Sequence, residues 1–231
     1  MAANSVVLIL GAGPRVGTSV ATAFASASYK VAIASRSGTG GKTPEGFLSL
    51  KVDLAEPESI PGLFDAVERE FNTAPNVVVY NGAALTPPPK EDSLLSVPHE
   101  ALASDLNTNT VSPYVAAQEA IKGWETLPKE VNKTFIYTGN KSNVSLMPMP
   151  ITMTLGVGKS ASAYWIGLAD TMYSTKGYRF FYADQRNEDG SPAGFGLDGP
   201  AHGDFYTQLT KDGNVPWHAT FVKGKGYVEF K

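Results

Sequence analysis

Short apolar runs recur along the first 185 residues of the chain, and segments with helical spacing separate them. Six of the runs predict buried strands, over residues 6–10, 30–35, 47–53, 76–80, 133–138 and 178–183. Four intervening segments predict helices, over residues 18–28, 57–71, 101–124 and 156–173. Strands that alternate with helices indicate βαβ units and a parallel sheet, which places a ligand at the carboxyl ends of the strands.

The pattern weakens after residue 184, where a polar, glycine-rich stretch extends to residue 200. Beyond it, a short helix over 201–210 and a last strand over 219–230 are predicted. The loop-like stretches at 37–45 and 86–98 mark no domain boundary, because the same rhythm of strands and helices resumes after each. We therefore predict one α/β domain over residues 1–231, in which residues 185–231 supply the substrate loops and the C-terminal part.

Composition narrows the class of protein further. The 231 residues suffice for a full core, and a net charge of −3 argues against a broad nucleic-acid footprint. The chain has no cysteine, which excludes disulfides, thiolate metal sites and cysteine nucleophiles. Its three histidines are scattered without metal spacing. The first ten residues lack a basic segment and no apolar run reaches transmembrane length, so we expect a cytoplasmic protein without a membrane partner.

A glycine-rich turn joins the first predicted strand to the first predicted helix. It reads Gly11-Ala12-Gly13-Pro14-Arg15-Val16-Gly17. Glycines let such a backbone turn tightly and approach a pyrophosphate, which the N-terminus of the following helix then binds. Because the turn lies between a strand and a helix, we predict a dinucleotide site there rather than a bare structural turn.

The residues after the second predicted strand indicate which dinucleotide binds. An acidic side chain there would bind the ribose 2′-hydroxyl of NAD, whereas this chain has Ser35 and Arg36. A guanidinium group suits a 2′-phosphate, and Arg15 in the glycine-rich turn can add a second positive charge. We therefore expect NADP(H), although both arginines can equally be solvated surface residues.

Further segments over about residues 5–185 resemble, in order and spacing, those of the short-chain dehydrogenase/reductase family. They are Val52-Asp53-Leu54, Asn81-Gly82-Ala83, Asn109 within 106–111, and Lys159. The resemblance implies a Rossmann-type, doubly wound parallel sheet in three layers and a homodimer or homotetramer. It also implies that Asp53 and Leu54 contact adenine, that Asn81 and Gly82 border the cofactor, that Asn109 holds a relay water and that Lys159 grips the nicotinamide ribose.

Three positions depart from the family pattern. Arg15 replaces the middle glycine, Asn140 occupies the position of the catalytic serine, and Leu155 that of the catalytic tyrosine. Asn140 can donate a hydrogen bond to a carbonyl but cannot relay a proton as a hydroxyl does, and leucine cannot act as an acid. The chain's ending resembles that of a divergent, mostly fungal branch of the family in which both losses recur.

Another group must supply the proton if the protein reduces a carbonyl. Tyr137 and Tyr227 also precede a lysine by four residues, but both lie in strand patterns, where such residues are about 13 Å apart. The remaining candidates are near the predicted ligand edge, namely Tyr182, Asp184, Tyr114, Ser142 and Lys159 itself. We assign the catalytic set as Asn109, Asn140, Lys159 and Tyr182.

These observations favour an atypical NADP(H)-dependent reductase of a small organic carbonyl or imine. An imine that reacts as its iminium ion needs less from a general acid than a ketone, because its nitrogen already carries the charge. Two alternatives stay open: a redox-neutral enzyme such as a cyclase, isomerase or dehydratase, and a non-catalytic NADP(H)-binding regulator. The aromatic, lysine-rich segment 217–227 can in principle bind single-stranded nucleic acid, but we favour a terminal strand with an oligomer contact.

Overall fold

Eight strands form one sheet in the order β3-β2-β1-β4-β5-β6-β7-β8. The computed structural model describes residues 5–230. The strands are β1 Val6–Leu10, β2 Lys30–Ser35, β3 Leu48–Lys51, β4 Val77–Tyr80, β5 Lys133–Thr138, β6 Tyr178–Arg186, β7 His218–Val222 and β8 Gly226–Tyr227. The first seven pair in parallel and β8 is antiparallel to β7. The predicted parallel α/β architecture is therefore confirmed.

Helices cover both faces of the sheet and complete the three layers. They are α1 Val16–Ser26, α2 Pro61–Phe71, α3 His99–Leu106, α4 Ser112–Trp124, α5 Met153–Tyr173 and α6 Gly199–Leu209. Helices α1 and α6 pack on one face, and α2, α4 and α5 on the other. Strand residues alternate between the two cores, with Leu8 on the α5 side and Ile9 on the α1 side, because successive strand side chains point to opposite faces.

The structure corrects three sequence-based boundaries. The predicted helix 101–124 is broken by a π-helical segment at Asn107–Val111, which lies between α3 and α4. Strand β6 continues three residues past its predicted end, to Arg186. The predicted last strand is a hairpin, because Gly224 and Gly226 adopt positive φ angles of 74° and 69° and reverse the chain between β7 and β8.

Three buried tyrosines lie side by side across the sheet. Tyr80, Tyr137 and Tyr182 occupy paired positions on β4, β5 and β6. Their rings stack, with centroids 5.8 and 5.6 Å apart. Each hydroxyl donates to a backbone carbonyl beyond the sheet, those of Thr108, Asn109 and Asn140 respectively. This tyrosine row therefore fixes the π-helical segment and the loop after β5 to the ends of the central strands.

Two glycines of α5 test how tightly this helix packs on the π-helical segment. A Cβ at Gly158 would lie 2.5 Å from Asn109 Cβ, whereas one at Gly156 would lie 3.6 Å from Ser142 Oγ, an ordinary contact. We expect Gly158→Ala to lower the free energy of unfolding by about 1–3 kcal/mol. Gly156→Ala should raise it by up to about 1 kcal/mol, because alanine favours the helix. Urea denaturation of both variants checks this, and equal effects would contradict it.

Candidate active site

The glycine-rich turn between β1 and α1 has the geometry of a phosphate cradle. Gly11 has a φ angle of 89°, and a Cβ there would lie 2.6 Å from the Gly82 nitrogen. A Cβ at Gly17 would lie 2.5 Å from Ala12 Cα, so this position also accepts only glycine. A Cβ at Gly13 would meet nothing within 4 Å. The turn is thus closed on its inner side and open on its outer side, where α1 begins at Val16 and presents its N-terminus.

Asn81 holds this turn in place. Its Nδ2 donates to the Gly11 carbonyl at 2.9 Å, and its backbone N–H donates to the Leu10 carbonyl at 2.7 Å. Gly82 lies against Leu54, whose Cδ1 would be 2.4 Å from an added Cβ. The structure therefore brings the residues after β1, β3 and β4 together at one edge, as the resemblance implies for the cofactor.

The side chains near the ends of β2 and β3 remain accessible. Asp53 is exposed, and its Oδ1 accepts the Ala55 N–H at 3.0 Å. Ser35 Oγ lies 3.2 Å from Ser37 Oγ. Arg15 and Arg36 are both exposed, and within residues 5–230 neither forms a salt bridge. Two guanidinium groups are therefore available to an anion at this edge of the sheet.

Asn109 is fully buried in the π-helical segment, and both its side-chain amide and its backbone carbonyl form hydrogen bonds. Its side-chain amide accepts the Ala84 N–H at 3.0 Å and donates to the Ala84 carbonyl at 2.8 Å. Its backbone carbonyl accepts the hydroxyls of Tyr137 at 2.8 Å and Ser162 at 2.7 Å. These contacts tie the π-helical segment to the segment after β4, to β5 and to α5. The relay role implied for Asn109 stays a prediction.

Lys159 is buried beside the end of β5. Its Nζ donates to the Thr138 carbonyl at 2.5 Å and lies 4.8 Å from the centroid of the Tyr137 ring. Burial lowers the pKa of Lys159 to about 8, and the charge of Asp184 opposes that shift. The ammonium group thus stays largely protonated at neutral pH, while its proton is easier to release than that of an exposed lysine.

Asn140 lies two residues past the end of β5, where Ser142 and Tyr182 hold it in place. Its Oδ1 accepts the Ser142 N–H at 3.0 Å. The Tyr182 hydroxyl accepts from the Asn140 N–H at 3.0 Å and donates to its carbonyl at 2.9 Å. Only glycine fits at position 139, between β5 and Asn140, since a Cβ there would lie 2.2 Å from the Tyr182 ring. These contacts leave Nδ2 as the side-chain group of Asn140 that can face a substrate.

The four other predicted proton donors differ in their burial and in their hydrogen-bond partners. Tyr182 is buried, which raises the pKa of its phenol well above 10, and its hydroxyl binds the backbone of Asn140; its catalytic role stays a prediction. Tyr114 lies on the outer surface of α4 and is 48% exposed. Asp184 is paired with Arg186 inside the protein. Ser142 Oγ is buried, has no hydrogen-bond partner in the described part of the chain, and faces the first turn of α5 at Gly156.

Sequence reasoning missed two buried residues that shape this edge of the sheet. Ser162 holds the Asn109 carbonyl, and Arg186 extends the polar end of β6. For Ser162, the available signal was its four-residue spacing from Gly158 on α5. Arg186 lies past the predicted end of β6, so a longer predicted strand was needed to find it. No cluster of three or more histidine or acidic side chains suited to a metal ion occurs between residues 5 and 230. No described helix is both long and apolar enough to span a membrane.

Known proteins resemble the whole chain in sequence and fold. The short chain dehydrogenase/reductase dmxR12 of Cryptosporiopsis sp. (strain 8999) is 41% identical to this chain. The alignment is 239 residues long with its gaps and covers 98% of this chain and 95% of that protein. A short-chain dehydrogenase/reductase from Serratia marcescens BCRC 10948 matches with a TM-score of 0.74 at 17% identity, covering 96% of this chain and 98% of its own. No protein-family model matches the sequence.

A third relative was solved with a nucleotide. An oxidoreductase of the short chain dehydrogenase/reductase family from Brucella ovis, in complex with a partially ordered NAD, matches with a TM-score of 0.74 at 16% identity. The match covers 95% of this chain and 99% of that one. The two structural matches show a shared fold, and the 41% identity shows the family. This chain belongs to the short-chain dehydrogenase/reductase family, as its motifs predicted, and the family supports an oxidoreductase that binds a nicotinamide cofactor.

The buried position of Lys159 predicts a pH-dependent contribution to stability. Its pKa falls from 10.5 in the unfolded chain to about 8 in the fold, so the unfolded state binds more protons between these values. Stability from this group therefore rises with pH across that window, by roughly 3 kcal/mol at most. We expect the stability of the wild type relative to Lys159→Met to increase between pH 7 and 10 in urea denaturation. A difference that does not change with pH would contradict the lowered pKa.

Proposed function

We propose that this protein is an NADP(H)-dependent reductase of a small organic carbonyl or imine. The observation that carries the proposal is the pair of donors beside the position of the missing tyrosine. Ser142 Oγ faces the first turn of α5, which contains Leu155. Asn140, whose Nδ2 is the second donor, precedes Ser142 by two residues in the turn after β5. The cradle at Gly11 and Gly13 and the unpaired arginines support the nucleotide part of the proposal.

The residues of this site divide the work of a reduction among them. A bound reduced nicotinamide supplies the hydride. Asn140 Nδ2 and Ser142 Oγ then donate hydrogen bonds to the oxygen or nitrogen that gains charge, in a region shielded from water. Lys159 Nζ supplies the proton, since a pKa of about 8 lies near the working pH of a general acid. Tyr182 keeps Asn140 in position from behind.

The donor role of Ser142 is tested by removing its hydroxyl. We expect Ser142→Ala to lower kcat for NADPH-dependent reduction of a ketone and imine panel about 10²-fold, because a transition-state hydrogen bond is lost. Ser145→Ala is the matched control, since that exposed serine lies in the same loop and its Oγ contacts the Leu146 carbonyl. Equal activity of the two variants would exclude Ser142 as a donor.

The preference for NADP(H) is tested at the end of β2. We expect isothermal titration to show tighter binding of NADPH than NADH. Arg36→Ala should weaken NADPH binding about 10-fold and leave NADH binding nearly unchanged, because only the 2′-phosphate needs the guanidinium group. Arg69→Ala, on the far end of α2, serves as the control. Tighter binding of NADH to the wild type would overturn the assignment.

A redox-neutral reaction is the second candidate, because Leu155 stands at the position of the family's tyrosine acid and such a reaction needs no proton donor there. Conversion of a carbonyl compound without consumption of NADPH would select an isomerase, cyclase or dehydratase. Nucleotide binding without any conversion would select a regulator.

We also propose that the protein forms a dimer through α4 and α5. Along α5, exposed apolar side chains recur at helical spacing, at Val157, Tyr164, Leu168 and Met172, and Tyr114 of α4 lies beside them. A face of this kind on two adjacent helices is self-complementary when two copies meet about a twofold axis.

The dimer is tested by placing a charge on this face. We expect Leu168→Lys to convert the assembly to monomers in analytical ultracentrifugation, because the lysine would be buried without a partner. Leu146→Lys is the control, since that residue is 94% exposed in the loop before α5 and is not part of the helix face. A wild-type protein that sediments as a monomer would exclude the dimer.

A further inference from the structure

A charged cluster lies buried at the carboxyl end of β6 and shares Lys159 with the residues proposed for the reduction. Arg186 Nε donates to Asp184 Oδ2 at 2.5 Å, and both side chains are at most 3% exposed. Arg186 Nη1 and Lys141 Nζ donate to the same carbonyl, that of Gly190, at 3.2 and 3.0 Å. Lys159 is close enough to act electrostatically on Asp184. Three cations therefore surround one carboxylate, and the cluster carries surplus positive charge.

Several buried polar atoms around this cluster have no hydrogen-bond partner among residues 5–230. They include two donors that an anion can satisfy, Arg186 Nη2 and Ser142 Oγ, and one acceptor that it cannot, Asn143 Oδ1. Such groups are costly to bury unless another molecule satisfies them. Residues 141–143, to which two of these atoms belong, are half-buried as whole residues.

The geometry brings these atoms toward one side of the sheet. Tyr182, Asp184 and Arg186 alternate along β6 and so share the α5 face, and His218 on β7 lies opposite Tyr182. His218 Nε2 is 3.1 Å from Asn143 Nδ2, which links β7 to the turn. Burial and the charge of Arg186 lower the pKa of His218 to about 4, so this histidine is neutral and adds no cation of its own.

We propose that this cluster binds an ionised oxygen of the substrate, a carboxylate or a phenolate, next to the group that is reduced. Arg186 Nη2 donates to the anion, and Lys141 and Lys159 add long-range attraction, while Ser142 Oγ keeps its single hydrogen for the reacting oxygen. The assignment rests on the proposed reductase function for its position beside the reacting group. It makes the substrate an acidic carbonyl compound.

Binding of simple anions tests the cluster without requiring turnover. Isothermal titration would compare benzoate with benzamide, and 4-nitrophenolate with 4-nitroanisole, on the full-length protein. We expect at least one anion to bind 10-fold or more tightly than its neutral partner, and the tighter of the two anions identifies the preferred oxygen. Anions that bind no better than both neutral compounds would overturn the proposal and leave buried water as the partner of these atoms.

Two arginines of β6 provide matched variants. Arg186→Lys keeps a positive charge beside Asp184 but removes Nη2, whereas Arg179→Lys makes the same change at the opposite end of the strand, where Arg179 Nε pairs with Asp170 at 2.9 Å. We expect only Arg186→Lys to weaken the preferred anion, by about 10-fold. Equal losses in both variants, or no loss in Arg186→Lys, would overturn the assignment.

A second variant keeps the test decisive if Arg186→Lys does not fold. Lys141→Gln changes a half-buried residue and should weaken anion binding about 3-fold without affecting benzamide. An unchanged anion affinity in this variant would contradict the surplus charge. Anion binding that survives in a protein with no reductase activity would reject the proposed reaction and retain the anion site.

Discussion

The candidate site depends on the row of three stacked tyrosines at the ends of the central strands. The hydroxyls of Tyr80, Tyr137 and Tyr182 reach past the sheet and bind carbonyls of the π-helical segment and of the loop after β5. Because the rings are buried and stacked, the hydroxyls have little freedom to move. The backbone that carries Asn109 and Asn140 is therefore positioned by the sheet itself. The π-helical segment is a local departure from regular helix of the kind often found at functional sites.

This arrangement explains how a member of the family can lack both the serine and the tyrosine. The carbonyl of Asn109 is satisfied by two protein hydroxyls, so the interior beneath the site is closed. Leu155 then introduces no unpaired polar group at the position where the family places its acid. The polar side chains nearest to this position are those of the turn after β5, where Asn140 and Ser142 lie. The altered residues and the altered contacts are thus mutually consistent.

Positive charge is distributed along the whole carboxyl edge of the sheet. Arg15 and Arg36 lie at one end near the glycine-rich turn, and Lys159 and Arg186 lie toward the other. Arg15 and Arg36 are exposed, whereas Lys159 and Arg186 are buried and Arg186 is paired with Asp184. This distribution would suit the proposed nucleotide at one end and the proposed acidic substrate at the other.

The sequence by itself determined the main strands, their parallel orientation and the glycine-rich turn, because hydrophobic period and backbone conformation are local properties. Its resemblance to the family also predicts Lys159 as a site residue and losses at Asn140 and Leu155. Only the tertiary structure decided what these residues touch. Tyr182 was predicted as catalytic, and its hydroxyl binds the backbone of Asn140, 42 residues away, so no local pattern encodes that contact. Arg186 was missed because β6 continues three residues past its predicted end, and its burial depends on the tertiary packing.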